Sequence, residues 1–232
     1  MKIMYLNVNG FYGTSNKNRA KLQIGLDDDC CKKNAQYICE RIISDDLKYD
    51  VIFFSEFAPN TPSGKLMTSL LEKNGYHQVL PNASANIPVR FYSIVVAYAK
   101  KNLNITSSIP SPNKWLKWCE LEIDSQHIVA IHSTGLEFLT DMNTELQNRN
   151  NNNLIVFGDT NVTEYSDEIS QNLLNGIGIK EILDSDYKMT FREIRKPDRV
   201  FSNMNGIEFT VISGYFKNSL SDHDALNITY PK

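Results

Sequence analysis

The sequence is poor in the features that mark several large protein classes. No segment approaches the roughly 18 consecutive apolar residues that a membrane-crossing helix needs, so stable insertion in a bilayer is not expected. Residues 2 to 8 already read as a strand, which leaves no room for a secretory leader within this numbering. With 24 Lys and Arg against 27 Asp and Glu, the net charge of −3 gives no overall attraction to polyanions. A phosphate-rich ligand would have to be held by local basic patches or by a metal ion. Only four cysteines occur, Cys30, Cys31, Cys39 and Cys119, and none has the C-x-x-C spacing of a metal site. Adjacent Cys30 and Cys31 are badly placed to pair with each other. They read as thiols of a reducing compartment, which points to a cytoplasmic protein. No internal repeat is visible, and a monomer is the expectation.

What remains is a globular composition, 41% hydrophobic and 22% charged over 232 residues, enough for one α/β domain spanning 1–232 with a sizeable core. After the first strand a long polar connection runs from Gly10 to Asp29, carrying Lys17, Arg19 and Lys21; connections of this length are mobile or functional. Ala35, Ile38, Cys39, Ile42 and Ile43 recur at helical spacing between Lys32 and Ile43. A strand from Asp50 to Ser55 follows, then a helix capped by Ser63 and closed at Asn74-Gly75. Further strands are expected at 76–80, 91–99, 105–109, 115–123, 128–131, 154–157, 177–183, 199–202, 207–212 and 225–230, with helices at 136–149 and 164–174. Strand, helix, strand in this order implies sheets packed under helical layers.

Polar side chains recur at one place in this pattern, the ends of apolar runs. Asn7 closes Ile3-Met4-Tyr5-Leu6, Glu56 closes Val51 to Ser55, and His132 closes Ile128 to Ile131. Asp159 and Asn161 follow Leu154 to Gly158, Asp198 opens Arg199-Val200-Phe201, and Asp222-His223 precedes Ala225 to Tyr230. Carboxylates, amides and imidazoles repeatedly placed at strand ends indicate one rim of a sheet carrying one polar site. A buried strand-end glutamate such as Glu56 is costly unless paired or ligating.

These are the parts that metal-assisted phosphodiester cleavage requires. Mg²⁺ takes oxygen ligands and keeps several waters, so one or two carboxylates and an amide suffice, and Glu56, Asn7 and Asp222 have the right chemistry. Asp159 suits a base that orients or deprotonates water, and Asn161 on the same turn a donor to phosphorane oxygens. The role of a histidine that stabilises transition-state charge or protonates a leaving oxygen is open to His223 with Asp198 and to His132.

The ordered set Leu6-Asn7-Val8-Asn9-Gly10, Phe54-Ser55-Glu56, Ile131-His132-Ser133, Gly158-Asp159-Thr160-Asn161, Pro197-Asp198-Arg199-Val200-Phe201 and Ser221-Asp222-His223 resembles the endonuclease/exonuclease/phosphatase superfamily, from residue 3 to residue 230. The segment Ala130-Ile131-His132-Ser133 makes the likeness greatest to the deoxyribonuclease I branch. The resemblance implies an α/β fold, a four-layer sandwich of two mixed β-sheets flanked by helices. It implies a Mg²⁺ (or Mn²⁺) cofactor held by Asn7, Glu56 and Asp222, with Asp222 a ligand or an acid behind the ligands. It also implies that Asp159 and Asn161 flank the attacked phosphate, that Asp198 orients His223, and that His132 acts near the leaving group. Substrate contacts are assigned to Asn9, Arg90, Lys117 and Arg192. Thr160 stands where that family's turn carries a bulky apolar residue. The loop Pro81 to Arg90 lacks the acid that pairs with the branch's strand-end histidine, and the branch's secreted disulfide has no counterpart.

The function expected is therefore a divalent-metal-dependent phosphodiesterase acting on nucleic acid, most simply an endonuclease. Two alternatives stand beside it. A phosphoinositide or sphingolipid phosphohydrolase would use the same chemistry and expose aromatic residues such as Phe11, Tyr12 and Trp115 on its rim. A non-catalytic binding protein on this fold would be expected to have lost some of the acids and imidazoles, all of which are present.

Overall fold

A computed structural model describes residues 1–14, 29–44, 48–81, 94–110, 116–148, 152–162, 164–183, 190, 191 and 197–230. The strands are β1 (Lys2–Asn7), β2 (Val51–Phe57), β3 (Tyr76–Leu80), β4 (Ile94–Lys100), β5 (Ile105–Pro110), β6 (Trp118–Ile123), β7 (Gln126–His132), β8 (Leu154–Asp159), β9 (Lys180–Ile182), β10 (Asp198–Ser202), β11 (Glu208–Ile212) and β12 (Ala225–Thr229). The helices are α1 (Asp29–Ser44), α2 (Pro62–Lys73), α3 (Leu136–Gln147) and α4 (Glu164–Asn175), and a single 3₁₀ turn spans Asn9–Phe11. They build two mixed six-stranded sheets, in the order β11-β12-β1-β2-β4-β3 and β5-β6-β7-β8-β10-β9. At the centre of each lies one parallel pair, β1 with β2 and β7 with β8, joined through α1 and α3 respectively.

The period-2 alternation of side chains explains the layers. Along β1, Ile3 and Tyr5 point into the core between the sheets, where they meet Ala130, Ile155, Phe157 and Val200. Met4 and Leu6 point the other way, against Ile38, Cys39 and Ile42 of α1 and Met67 and Leu71 of α2. The second sheet turns Val129, Ile131, Val156 and Phe201 outward onto Phe138, Leu139 and Leu146 of α3 and Leu174 of α4. Central strands are therefore apolar on both faces, which is why they read as unbroken hydrophobic runs. Each fully buried Phe, Ile or Leu contributes roughly 1.5–3 kcal/mol. The expected four-layer sandwich is the observed one.

Several boundaries differ from expectation for identifiable reasons. The cap of α2 is Thr61, whose Oγ1 accepts from the Gly64 amide at 3.1 Å, not Ser63. Pro62 takes the first helical position, where its missing N–H costs nothing, and this moves the cap one residue earlier. Strand β9 is three residues rather than seven, because Ile179 leaves the ladder to pack under α4. The more informative difference lies in β2, which runs past Ser55 through Glu56 to Phe57. Phe54 pairs with Val96 and Phe57 with Ile94, so Ser55 and Glu56 of β2 lie opposite the single residue Val95 of β4. This bulge puts Glu56 at φ 48°, the left-handed region that side chains rarely adopt. Residues Phe91 to Tyr92, Trp115, Lys17, Arg19 and Lys21 fall outside the described part of the chain.

None of the four cysteines is in a disulfide, and burial pushes the Cys39 thiol up to about 12, consistent with an inert packing role. Among the described residues no helix is long and apolar enough to cross a membrane.

Candidate active site

Strand register brings the polar strand ends together. In the second sheet His132 is paired with Asp159, and Asp159 with Asp198, so the three lie in a row across β7, β8 and β10. Gly158 permits this: at φ 134°, a Cβ there would lie 2.1 Å from the Ile131 carbonyl oxygen of β7. In the first sheet Asn7 is paired with Ser55, one residue before Glu56. His223 stands two residues ahead of β12, on the other side of β1.

The carboxylate of Asp159 is the centre of this arrangement. Its Oδ1 accepts the Asn161 backbone N–H at 2.9 Å, closing a tight turn with Asn161 at φ 49°. Its Oδ2 faces the other polar strand ends, 3.0 Å from Asn7 Nδ2, 3.7 Å from His223 Nε2 and 3.8 Å from His132 Nε2. One oxygen builds the turn and the other is left for chemistry. Burial holds the Asp159 carboxyl above its ordinary range; the His223 charge opposes that shift, Asp198 adds to it, and His132 and the Asn161 amide oppose it.

Asn7 donates to Asp159 and also to Glu56 Oε1 at 3.3 Å, while its own Oδ1 accepts the Asn9 N–H at 2.9 Å. In this placement its amide nitrogen faces the acids and sets their spacing. Asn9, at φ 44°, donates its side-chain amide to the Gly13 carbonyl at 2.9 Å and is largely buried. Asp222 Oδ1 lies 4.0 Å from His223 Nε2. Asn161 Nδ2 donates to the Ser133 carbonyl at 2.8 Å, which leaves its second N–H for another partner. Arg90 and Arg192 lie outside the described residues.

The two histidines are held by opposite means. His223 Nδ1 lies 2.7 Å from Asp198 Oδ2, and Asp198 is fully buried on β10. Burial alone would lower the His223 pKa, but the charge and hydrogen bond of Asp198, with Asp159 and Asp222 nearby, outweigh it and carry it to about 10. His223 is therefore an imidazolium at neutral pH. The Phe191 ring meets its edge, with centroids 5.0 Å apart. His132 Nε2 faces Glu56 Oε1 at 3.3 Å, and its Nδ1 lies 3.1 Å from Lys117 Nζ. An ammonium only donates, so Nδ1 must accept and the ring proton sits on Nε2.

Several residues that build the site carry no assigned role in the sequence. Tyr5 reaches between the sheets: its hydroxyl accepts the Asp159 backbone N–H at 2.9 Å, shares a 2.6 Å bond with Ser55 Oγ and donates to the Ile131 carbonyl at 3.2 Å. Burial raises its pKa well above the usual value, which keeps the phenol neutral. Ser221 Oγ donates to the Asn7 carbonyl and accepts the His223 N–H at 3.1 Å, tying the last turn to β1. Asp224 accepts the Tyr215 and Phe216 amides at 2.9 and 3.1 Å, and its own N–H donates to the Thr190 carbonyl, so it organises loops. A tyrosine hydroxyl in an apolar strand was the one available signal for Tyr5, since a buried hydroxyl needs a partner.

The donor set suits a hard divalent cation. Carboxylate oxygens of Glu56 and Asp159 lie within 4.8 Å of each other, as do those of Asp159 and Asp198, with the ring nitrogens of His132 and His223 beside them as proton donors rather than ligands. Asp198 Oδ1 is buried with no hydrogen-bond partner among the described residues. Among the described residues, the acids Glu56, Asp159, Asp198 and Asp222 gather around the His223 imidazolium and the Lys117 ammonium, an excess of negative charge that a cation would offset.

No protein-family model matches the chain, and no curated protein matches it. Solved structures do. A 3'-5' exonuclease from Neisseria meningitidis superposes with a TM-score of 0.66 at 10% identity, covering 99% of both chains. An endonuclease/exonuclease/phosphatase family protein from Leptotrichia buccalis gives 0.61 at 17% identity, over 99% of this chain and 98% of that one. Danio rerio TDP2, complexed with a single-strand DNA product, gives 0.62 at 14%, over 98% and 97%. The chain has the endonuclease/exonuclease/phosphatase fold, as the order of its motifs implied. Identities this low speak to the fold, and the chemistry has to be argued from the site.

Proposed function

We propose that this chain is a divalent-metal-dependent phosphodiesterase that hydrolyses nucleic-acid backbones. The observation that carries the reading is the meeting of Asn7, His132 and His223 on one oxygen of Asp159, Oδ2, with Glu56 close to two members of the same group. Glu56 would hold Mg²⁺ or Mn²⁺ with Asp222 as its neighbour and Asn7 fixing the carboxylates. A cation there would supply neutralisation of the negative charge that builds on phosphoryl oxygens.

The side chains divide the remaining work. Asp159 orients a water and takes its proton as the oxygen–phosphorus bond forms. The His223 imidazolium, kept charged by Asp198, binds a non-bridging oxygen, and the second N–H of Asn161 reaches another. The Nε2–H of His132 donates to the departing oxygen, which leaves as its bond to phosphorus breaks and is then protonated from solvent. The low Asp159 basicity of an exposed carboxylate would be a poor match for this task, and burial corrects it.

A substrate panel tests the proposal: supercoiled plasmid, single-stranded DNA, RNA and phosphoinositide vesicles, each with Mg²⁺, Mn²⁺ or EDTA. Polynucleotide cleavage that EDTA and Asp159→Asn both abolish is the expected result. Cleavage of lipid headgroups alone would transfer the chemistry to a phosphoinositide, and no hydrolysis of any substrate would make the chain a binding protein.

A further inference from the structure

Lys117 is built into the site more firmly than an exposed phosphate contact needs to be. It sits one residue before β6, whose Trp118 pairs with Ile131. The Lys117 carbonyl accepts the His132 N–H at 2.8 Å, and the Leu116 carbonyl accepts the Val95 N–H from β4 at 2.8 Å, with Leu116 in the left-handed region at φ 53°. The backbone around Lys117 is thus tied to both sheets, and its ammonium is brought 3.1 Å from His132 Nδ1. On the far side of the ring, Nε2 faces Glu56 at 3.3 Å and Asp159 at 3.8 Å.

We propose that Lys117 is a positioning residue that fixes the His132 tautomer, so that the ring offers a proton to the substrate and not a lone pair. This rests on the phosphodiesterase reading above. The alternative tautomer would put Nδ1–H against the Lys117 ammonium 3.1 Å away, so the outer edge of the ring rejects it. A lone pair at Nε2 would also repel the anionic leaving oxygen. Lys117 supplies orientation and acts on substrate through His132; the proton it donates stays on its own nitrogen.

Ring-nitrogen correlation spectra of ¹⁵N-labelled protein, with His132→Gln to assign the signals, read the tautomer directly. They are compared for wild type, Lys117→Met, Lys117→Glu and Lys117→Arg, with kcat and KM measured on whichever polynucleotide the panel identifies. The wild-type spectrum is expected to show His132 protonated at Nε2 and bare at Nδ1. Lys117→Glu, which accepts a proton at the same place, is expected to move a proton to Nδ1 and lower kcat about 10²-fold with KM little changed, while Lys117→Arg keeps both tautomer and rate. A wild-type ring protonated at Nδ1 would overturn the proposal. So would Met and Glu variants with unaltered spectra, or a rise in KM alone, which marks a simple phosphate contact. If no substrate is cleaved, the functional reading fails while the spectra still decide the role of Lys117.

Discussion

Asp159 lies between two histidines at nearly equal distance, 3.7 Å from His223 and 3.8 Å from His132, yet the two imidazoles do different things. One has a buried carboxylate behind it and becomes a cation; the other has an ammonium behind it, which leaves Nδ1 the acceptor and turns the Nε2 proton inward. Both present an N–H to the same oxygen. The residue on the outer side of the ring, not the histidine itself, decides how much charge comes with it. An imidazolium suits an oxygen that becomes more negative as water attacks, and a neutral N–H suits a group that only needs a hydrogen bond as it leaves.

The largest expected effect comes from removing what the two halves share. Asp159→Asn leaves the turn intact through its remaining oxygen and is expected to lower kcat by on the order of 10⁴-fold; a loss under tenfold would mean that the carboxylate is not the base. Separating the halves comes next. His223→Gln is expected to cost roughly 10³-fold and His132→Gln clearly less, and Asp198→Asn should follow His223→Gln because it removes the charge from behind. Equal losses at both histidines, measured as kcat on the same substrate, would erase the proposed distinction.

Stability carries the same asymmetry. The folded value of His223, about 10, lies above its ordinary 6.5, so its contribution is complete below about pH 6.5 and is lost as pH rises through 10. In metal-free buffer, the difference in unfolding free energy between wild type and His223→Gln should shrink between pH 7 and 10, by about 3 kcal/mol. A pH-independent difference in urea titrations would count against the buried imidazolium. The smallest effect is expected at Tyr5→Phe, which strands the Asp159 N–H for roughly 1–2 kcal/mol and lowers the melting temperature by a few degrees. An unchanged melting temperature would show that water replaces the hydroxyl.

How far the sequence reveals this depends on what kind of information each feature needs. Asn7, Glu56, His132, Asp159, Asp198 and His223 are visible because apolar runs end at them, and a strand end is a local property. The layers follow from period-2 burial, which is local too. Register is not local. Nothing in the segment around Lys117 shows that it pairs with the residue beside His132, and nothing near Tyr5 shows that its hydroxyl meets β8, 154 residues on. The acid beside His132 illustrates the point: the loop Pro81 to Arg90 carries none, and the acid facing the ring is Glu56, re-aimed by a one-residue bulge that leaves no trace in hydrophobic pattern. Thr61 and not Ser63 caps the helix because Pro62 takes its first position.

The central claim is that His223 meets the phosphate as a cation held by Asp198. The most direct measurement is the ¹⁵N ring spectrum of His223 at pH 8 in metal-free protein, for wild type and Asp198→Asn. Both ring nitrogens should be protonated in wild type, with one proton lost in Asp198→Asn; a neutral His223 in wild type at that pH would contradict the account.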